Sequence, residues 1–368
     1  MGGKSIYISY LDVFNNNIID FLPNNYVNIK NAQNKVKIGD VLIPTSSETI
    51  IDSGMASVFN FKTEKNIYLN SFCFGVRPYN VKNIEPNFLA YLLRTKNIRN
   101  KIIKLSQGIS RYNLNVNNFL NTQINIPINK REMQKISLLI DNLRKSITLL
   151  QRKLEKMKNI KEFLLKKMFI SGQDKIPTIR FKEFNNSWDK KQVGDILYEN
   201  NIKGAKDLEV LTATKYDGMQ PRKNLNLTIS FNTDNIIKFN KVDVNDFVLH
   251  LSTFQNGLAF SEYIGVTSPA YKVLKIKNLS EDYPKYFEII FKSKNFINKL
   301  IPITYGIRMG KTILFNDLKN IEVDKPEKRE QEKIYFLTKT LFWHIKLLEK
   351  KKEKLENIKK TLLNKMFI

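Results

Sequence analysis

Apolar residues recur in alternating steps of four and three at Ile136, Ile140, Leu143, Ile147, Leu150, Leu154, Met157, Leu164 and Met168, interrupted only at Lys161. A second run gives Ile334, Leu341, Ile345, Leu348, Leu355, Leu362 and Met366, interrupted at Thr338 and Lys352. A mean step of 3.5 residues sustained over several heptads predicts a coiled coil rather than a surface helix with one apolar face. Pro127 and Pro326 stand just ahead of the two runs, where proline is tolerated. Each helix of ~35 residues would be ~50 Å long. Both seams lie in one chain, so the economical arrangement pairs them with each other. The alternative is that each pairs with another protein.

Elsewhere the pattern is that of a mixed α/β fold. Residues 35–43 alternate and then turn apolar, as a strand entering a core does, and residues 235–251 behave likewise. Phe88 to Leu105 and Tyr283 to Leu300 have helical spacing, and residues 171–177, SGQDKIP, form a polar linker. The chain also repeats itself. Residues 153–170 and 351–368 agree at twelve of eighteen positions, at an offset of 198. The offset holds upstream, where Lys130-Arg131-Glu132 matches Lys328-Arg329-Glu330 and Gly108-Ile109 matches Gly306-Ile307. With small gaps, Ser53-Gly54 aligns with Asn256-Gly257, and residues 36–40 align with 242–246. A period this long is duplication of a whole domain, not a solenoid module. The organisation expected is a first globular domain over 1–126, a helical region over 127–172, a second globular domain over 173–324 and a second helical region over 325–368.

Charge narrows the partner. Lys and Arg total 61 against 35 Asp and Glu, a formal charge of +26, while 42% hydrophobic and 11% aromatic residues belong to a folded protein. A polyanion, nucleic acid first, is the partner this charge suits. A lysine-rich composition inherited from an AT-rich genome is the alternative source of the charge. One cysteine, Cys73, excludes an internal disulfide and a cysteine-built zinc site; His250 and His344 are too few for a histidine-rich metal centre. No apolar run approaches a membrane span, and the N-terminus has no signal-peptide core, so a cytoplasmic protein is expected.

Catalytic signatures fail on spacing. Residues 306–312, GIRMGKT, have three residues between the glycines where a phosphate-binding loop needs four. No Gly-x-Gly pair and no Pro-Pro pair occur, so the dinucleotide or adenosylmethionine fingerprint and the amino-methyltransferase motif are missing. The sequence gives no case for catalysis, and none for a cofactor held by this chain.

The second copy carries Gly306-Ile307-Arg308, then the apolar stretch Leu318 to Val323, then Pro326 through Glu330-Gln331 to Ile334. The first carries Gly108-Ile109-Ser110-Arg111, then Thr122 to Ile126, then Pro127 through Glu132 to Ile136, with Met133 where the second has Gln331. Arg180-Phe181, Trp188 and Gly194-Asp195 open the second copy, and residues 2–9 read GGKSIYIS. This doubled pattern resembles the specificity subunit of type I restriction–modification systems, the HsdS family, over nearly the whole chain. The resemblance implies two α/β target-recognition domains separated by two long helices forming an intrachain antiparallel coiled coil. It implies a non-catalytic subunit reading a bipartite site in double-stranded DNA, one half-site per domain. Two methyltransferase (modification) subunits would add adenine N6 methylation with adenosylmethionine, and restriction subunits would add translocation and cleavage. Nothing in the first copy corresponds to Pro177 to Asn200, which implies that the chain begins inside its first recognition domain. The other classes are a stand-alone DNA- or RNA-binding protein and a coiled-coil adaptor.

Base edges are read by Arg, Lys, Asn, Gln, Ser or Thr on short, well-held segments. The candidates are Arg111 and Tyr112 after Gly108, and Arg308 and Lys311 around Gly306 and Gly310. Lys215, Tyr216, Arg222, Lys223, Thr253, Gln255 and Asn256 complete the set. The helical regions are the more basic part: residues 127–170 hold 12 basic and 4 acidic side chains, residues 325–368 hold 13 and 6. They lie close to phosphates, dock on acidic partner surfaces, or are simply solvated.

Overall fold

The computed structural model describes residues 3–79, 83–170, 174–203, 205, 207–225, 233–306 and 311–367. The heptad runs form two helices, Lys130–Met168 and Lys328–Met366, of 39 residues each. The chain divides into one unit of residues 1–154 with 347–368 and another of 155–346. In the first unit Met133, Ile136 and Ile140 of the first long helix share a core with Phe88 and with Phe367 at the end of the second. The Phe88 and Phe367 rings lie 4.9 Å apart. In the second unit Met168 and Ile170, at the end of the first helix, share a core with Ile334, near the start of the second. In each unit the beginning of one helix meets the end of the other, which is antiparallel pairing.

Seam positions Ile140, Leu154 and Ile345 are buried. The two interruptions of the pattern in the second unit have local answers. Thr338 is buried, and its hydroxyl bonds back to the carbonyls of Ile334 (2.8 Å) and Tyr335 (2.9 Å). The Lys161 ammonium lies 5.6 Å from the centre of the Phe342 ring, a cation–π contact.

Both globular parts are built on one hydrogen-bonded frame. The strand Val41–Pro44 lies between Ser57–Phe59 and Cys73–Val76; Phe247–Leu249 lies between Ala259–Phe260 and Lys272–Ile276. The registers Val41↔Val58 and Val41↔Val76 are matched by Phe247↔Phe260 and Phe247↔Leu274. Just before each central strand, an aspartate makes a turn by accepting from the backbone N–H three residues back. Asp40 Oδ2 takes Lys37 N at 2.8 Å and Asp246 Oδ2 takes Asp243 N at 2.7 Å. Gly39 (φ 89°) and Asn245 (φ 73°) supply the left-handed residue that the turn needs.

These turns shorten the strands expected over 35–43 and 235–251. The first begins only at Val41, and the second becomes Asn240–Val242 and Phe247–Leu249. The expected helices 88–105 and 283–300 each divide in two, as Pro86–Leu93 with Lys96–Lys104 and Pro284–Phe291 with Lys294–Leu300. Ser293 starts the last by accepting from Phe296 N at 3.2 Å. Pro86 and Pro284 open their helices, where a missing N–H costs nothing.

The two copies differ at the entry to the long helices. Glu330 is 1% exposed and accepts from Arg180 Nε (2.8 Å), Arg180 Nη2 (2.8 Å) and Trp188 Nε1 (3.1 Å). Gln331 beside it donates to the carbonyls of Pro326 (2.8 Å) and Glu281 (3.2 Å) and accepts from Tyr283 N (2.8 Å). In the first unit Glu132 is exposed, and Met133 fills a buried position with an apolar side chain. Thr122 to Ile126, the counterpart of the apolar stretch Leu318 to Val323, is irregular, with no described strand beside it, whereas Glu322–Lys325 pairs with Asp189–Gln192.

Candidate nucleic-acid interface

In the first unit a hairpin, Ser106–Gln107 with Tyr112–Leu114, is extended by Ser46–Ser47 in the registers Asn113↔Gln107 and Tyr112↔Ser47. Gly108 turns it at φ 139°, where a Cβ would lie 2.0 Å from the Arg111 carbonyl oxygen, so only glycine fits. Arg111 is exposed and Tyr112 half-buried beside it. The turn 48–54, which leaves the sheet alongside the hairpin, is held by a buried arginine. Arg99 donates to the carbonyls of Ile51 (2.7 Å), Ser53 (2.7 Å) and Gly54 (2.8 Å). Burial lowers the pKa of its guanidinium, and the three carbonyl dipoles take the place of water around it. A 2.6 Å hydrogen bond between the Ser53 and Ser106 hydroxyls ties turn to hairpin, making one edge.

The second unit repeats this edge. Its hairpin pairs Thr304–Tyr305 with Thr312–Ile313, and Gly306, next to the first strand, has φ 92°. Arg308 lies outside the described residues. The Lys311 ammonium sits 5.1 Å from the centre of the Phe254 ring, so the hairpin meets the short helix Thr253–Asn256. Gly257 closes that helix at φ 73°, with no room for a Cβ against the Phe291 carbonyl.

Among the candidates on this helix Gln255 is exposed and Asn256 half-buried. Thr253 is a correction. It is buried, and its hydroxyl accepts from His250 N at 2.8 Å, so it holds the turn and faces no solvent. His250 is itself buried, accepts from Ser252 N through Nδ1 at 3.2 Å, and has its pKa pushed down to about 4 by burial.

Lys215 and Tyr216 cap a second hairpin, Leu211–Ala213 with Met219–Pro221, the lysine 5.0 Å from the centre of the tyrosine ring. Arg222 and Lys223 sit at the other end of the strand Met219–Pro221. The four therefore form two places, not one. Lys223 pairs with Glu209 at 2.9 Å, and Arg222 is half-buried.

The turn 48–52 in the first unit escaped the residue-by-residue reading, because Ile50 and Ile51 are not the residue types that donate to bases. Its signal was the Gly54–Gly257 correspondence, which places it opposite Thr253–Asn256. Among the described residues no group of three metal-ligating side chains forms, and no helix is long and apolar enough to cross a membrane.

Residues 2–159 match the family model of the type I restriction modification DNA specificity domain. A Methanocaldococcus jannaschii protein, named as the type I restriction enzyme MjaX specificity subunit, is 24% identical over 372 residues, covering 97% of this chain and 85% of that one. The crystal structure of the type I restriction-modification S subunit from M. genitalium aligns over 100% of this chain and 89% of its own, with TM-score 0.55 and 13% identity. That of the HsdS subunit from Thermoanaerobacter tengcongensis aligns over 90% and 81%, with TM-score 0.46 and 15% identity.

Proposed function

We infer that this chain is the DNA-specificity subunit of a type I restriction–modification system, a non-catalytic component that selects the sequence on which partner subunits act. The specificity domain over residues 2–159 carries this reading. The duplicated frame extends it to two readers. Each unit offers a glycine hairpin and a glycine-closed turn, and the side chains displayed there differ between copies. A shared frame with different displayed residues suits a bipartite target whose half-sites differ.

The same reading assigns the contacts. Arg111 and Tyr112 serve one half-site. Arg308, Lys311, Gln255 and Asn256 serve the other, with Lys215 and Tyr216 on a neighbouring hairpin. Arginine and lysine contribute phosphate or guanine contacts, and asparagine and glutamine suit adenine.

Two modification subunits fit a second observation. Leu138, Leu149 and Ile160 are exposed on the first long helix at steps of eleven residues; Phe336, Leu347 and Ile358 are exposed at the equivalent positions of the second. Eleven residues are about three helical turns, so each set forms one row along its helix. Two equal apolar rows, on helices rich in lysine, suit two copies of one partner with an acidic rim. They favour a complex over a stand-alone binder. Methyl transfer to adenine would belong to those partners, and translocation and cleavage to restriction subunits. The test is co-purification of the full chain with its modification subunits, followed by sequencing of methylated adenines in the host genome. A bipartite motif that disappears when this chain is deleted is the expected result. Methylation unchanged by the deletion would overturn the reading.

A further inference from the structure

We propose that the first unit reads thymine by its methyl group, through Ile50, Ile51 and Ile109. The proposal rests on the assignment of this chain as a DNA-specificity subunit and names the chemistry of one of its two readers.

Ile109 is 95% exposed, Ile51 71% and Ile50 40%. Single exposed apolar residues are ordinary; these three share one edge. The register Tyr112↔Ser47 sends residues 109–111 and 48–51 out of the sheet side by side. Arg99 and the Ser53–Ser106 hydrogen bond fix the turn against the hairpin, and Gly108 fixes the tip. The isoleucines are thus held in water by a rigid frame, not left there by a loose loop.

A two-stranded ribbon fits the major groove, and the hairpin Ser106–Gln107 with Tyr112–Leu114 projects such a ribbon to the Gly108 turn. The only apolar group that base edges present there is the C5-methyl of thymine. Arg111, exposed at the root of the tip, brings positive charge to the same edge, which suits DNA better than an apolar protein surface. The second unit sharpens the contrast. Counting back from the shared glycine, Ile51 and Asp52 correspond to Phe254 and Gln255. There the phenylalanine is half-buried with Lys311 against it, and Gln255 is exposed. The same frame offers an apolar surface in one reader and an amide with a cation in the other.

The test uses the full chain in complex with its modification subunits, on duplexes carrying the motif found by adenine-methylation sequencing. Each thymine of both half-sites is replaced in turn by deoxyuridine, which removes the methyl and nothing else. In one half-site at least one replacement should weaken binding about fourfold, the worth of one buried methyl. The triple variant Ile50→Ser/Ile51→Ser/Ile109→Ser should lose that sensitivity and keep the response of the other half-site to base changes. Ile109→Ser alone, a substitution of an exposed residue, gives the same readout at lower amplitude should the triple variant fold poorly. Indifference to deoxyuridine at every thymine overturns the proposal, as does a sensitivity that survives in the variants. Sequence-specific binding would persist in both cases. Loss of all sequence-specific binding by the wild-type complex would instead remove the underlying assignment.

Discussion

Glu330 is a buried carboxylate with three charge-assisted or polar hydrogen bonds, two from Arg180 and one from Trp188. Removing one partner of a buried pair leaves the other charge without compensation and costs about 3–5 kcal/mol. Glu330→Leu and Arg180→Met should each destabilise the protein by that order, measured by urea unfolding. The double variant should recover part of the loss, because replacing both charges together can be close to neutral. A strictly additive double variant would show that the pair contributes nothing as a pair. The sequence placed Arg180 and Trp188 in one motif and Glu330 in another, and 142 to 150 residues of intervening chain hid that they meet. His250 gives a pH-dependent prediction. Burial lowers its pKa to about 4, whereas the unfolded chain takes up the proton near 6.5. Its contribution is therefore complete above pH 6.5 and lost as pH falls toward 4. Asp246, raised to about 6 by burial, works in the opposite sense: its contribution is present below its unfolded value and lost as pH rises through 6. His250→Gln should isolate the first effect. Between pH 7.5 and 5 the variant should lose about 2 kcal/mol less unfolding free energy than the wild type. Parallel pH profiles would mean that His250 takes up its proton as readily in the fold as in the unfolded chain.

The long helices were the most legible elements, because a 3.5-residue step over 39 residues leaves little competition from other patterns. The shorter elements were less so. The pairs Arg94-Thr95 and Lys292-Ser293 each break what reads as continuous helical spacing: Ser293 caps the helix that follows it, whereas the Thr95 hydroxyl bonds back to the Leu92 carbonyl at the end of the helix before. The aspartate turns at Asp40 and Asp246 shortened strands for the same kind of local reason. The hairpin and turn loops of the candidate interface were legible only through their glycines, since the residues displayed on such a frame carry no periodicity. The seam itself is open to test at Leu154, which is buried and lies at a predicted heptad position. Leu154→Asp should place an unpaired charge there and cost about 3 kcal/mol or more, read as a lowered melting temperature. Leu149→Asp, one step away on the exposed row, should leave the melting temperature of the free chain unchanged. If the exposed rows dock modification subunits as proposed, the same substitution should weaken their capture. Equal melting temperatures for the wild type and the Leu154 variant would place the seam elsewhere on the helix.

At the scale of the molecule the proposed function, with the duplication, makes the second reader exchangeable. Residues 173–324 enter and leave through elements that the frame fixes. Met168 and Ile170 precede the domain, Ile334 follows it, and all three lie in the core of their unit. A donor domain from a type I specificity subunit meets the same helix ends if its apolar residues there keep their volumes. The displayed residues, Gln255, Asn256, Lys311 and the hairpin of Lys215 and Tyr216, would all change, whereas Arg111, Tyr112 and the turn 48–52 would not. The exchanged chain, produced with its own modification subunits, should therefore methylate a new bipartite motif. One half-site should be that of the donor, and the other should be retained. The number of base pairs between them should stay constant, because both helices are unaltered. Adenine-methylation sequencing of a host carrying only the hybrid measures all three at once. A motif changed in both halves would mean that each reader depends on the other for its base contacts, and a changed spacer would mean that the helices do not set it.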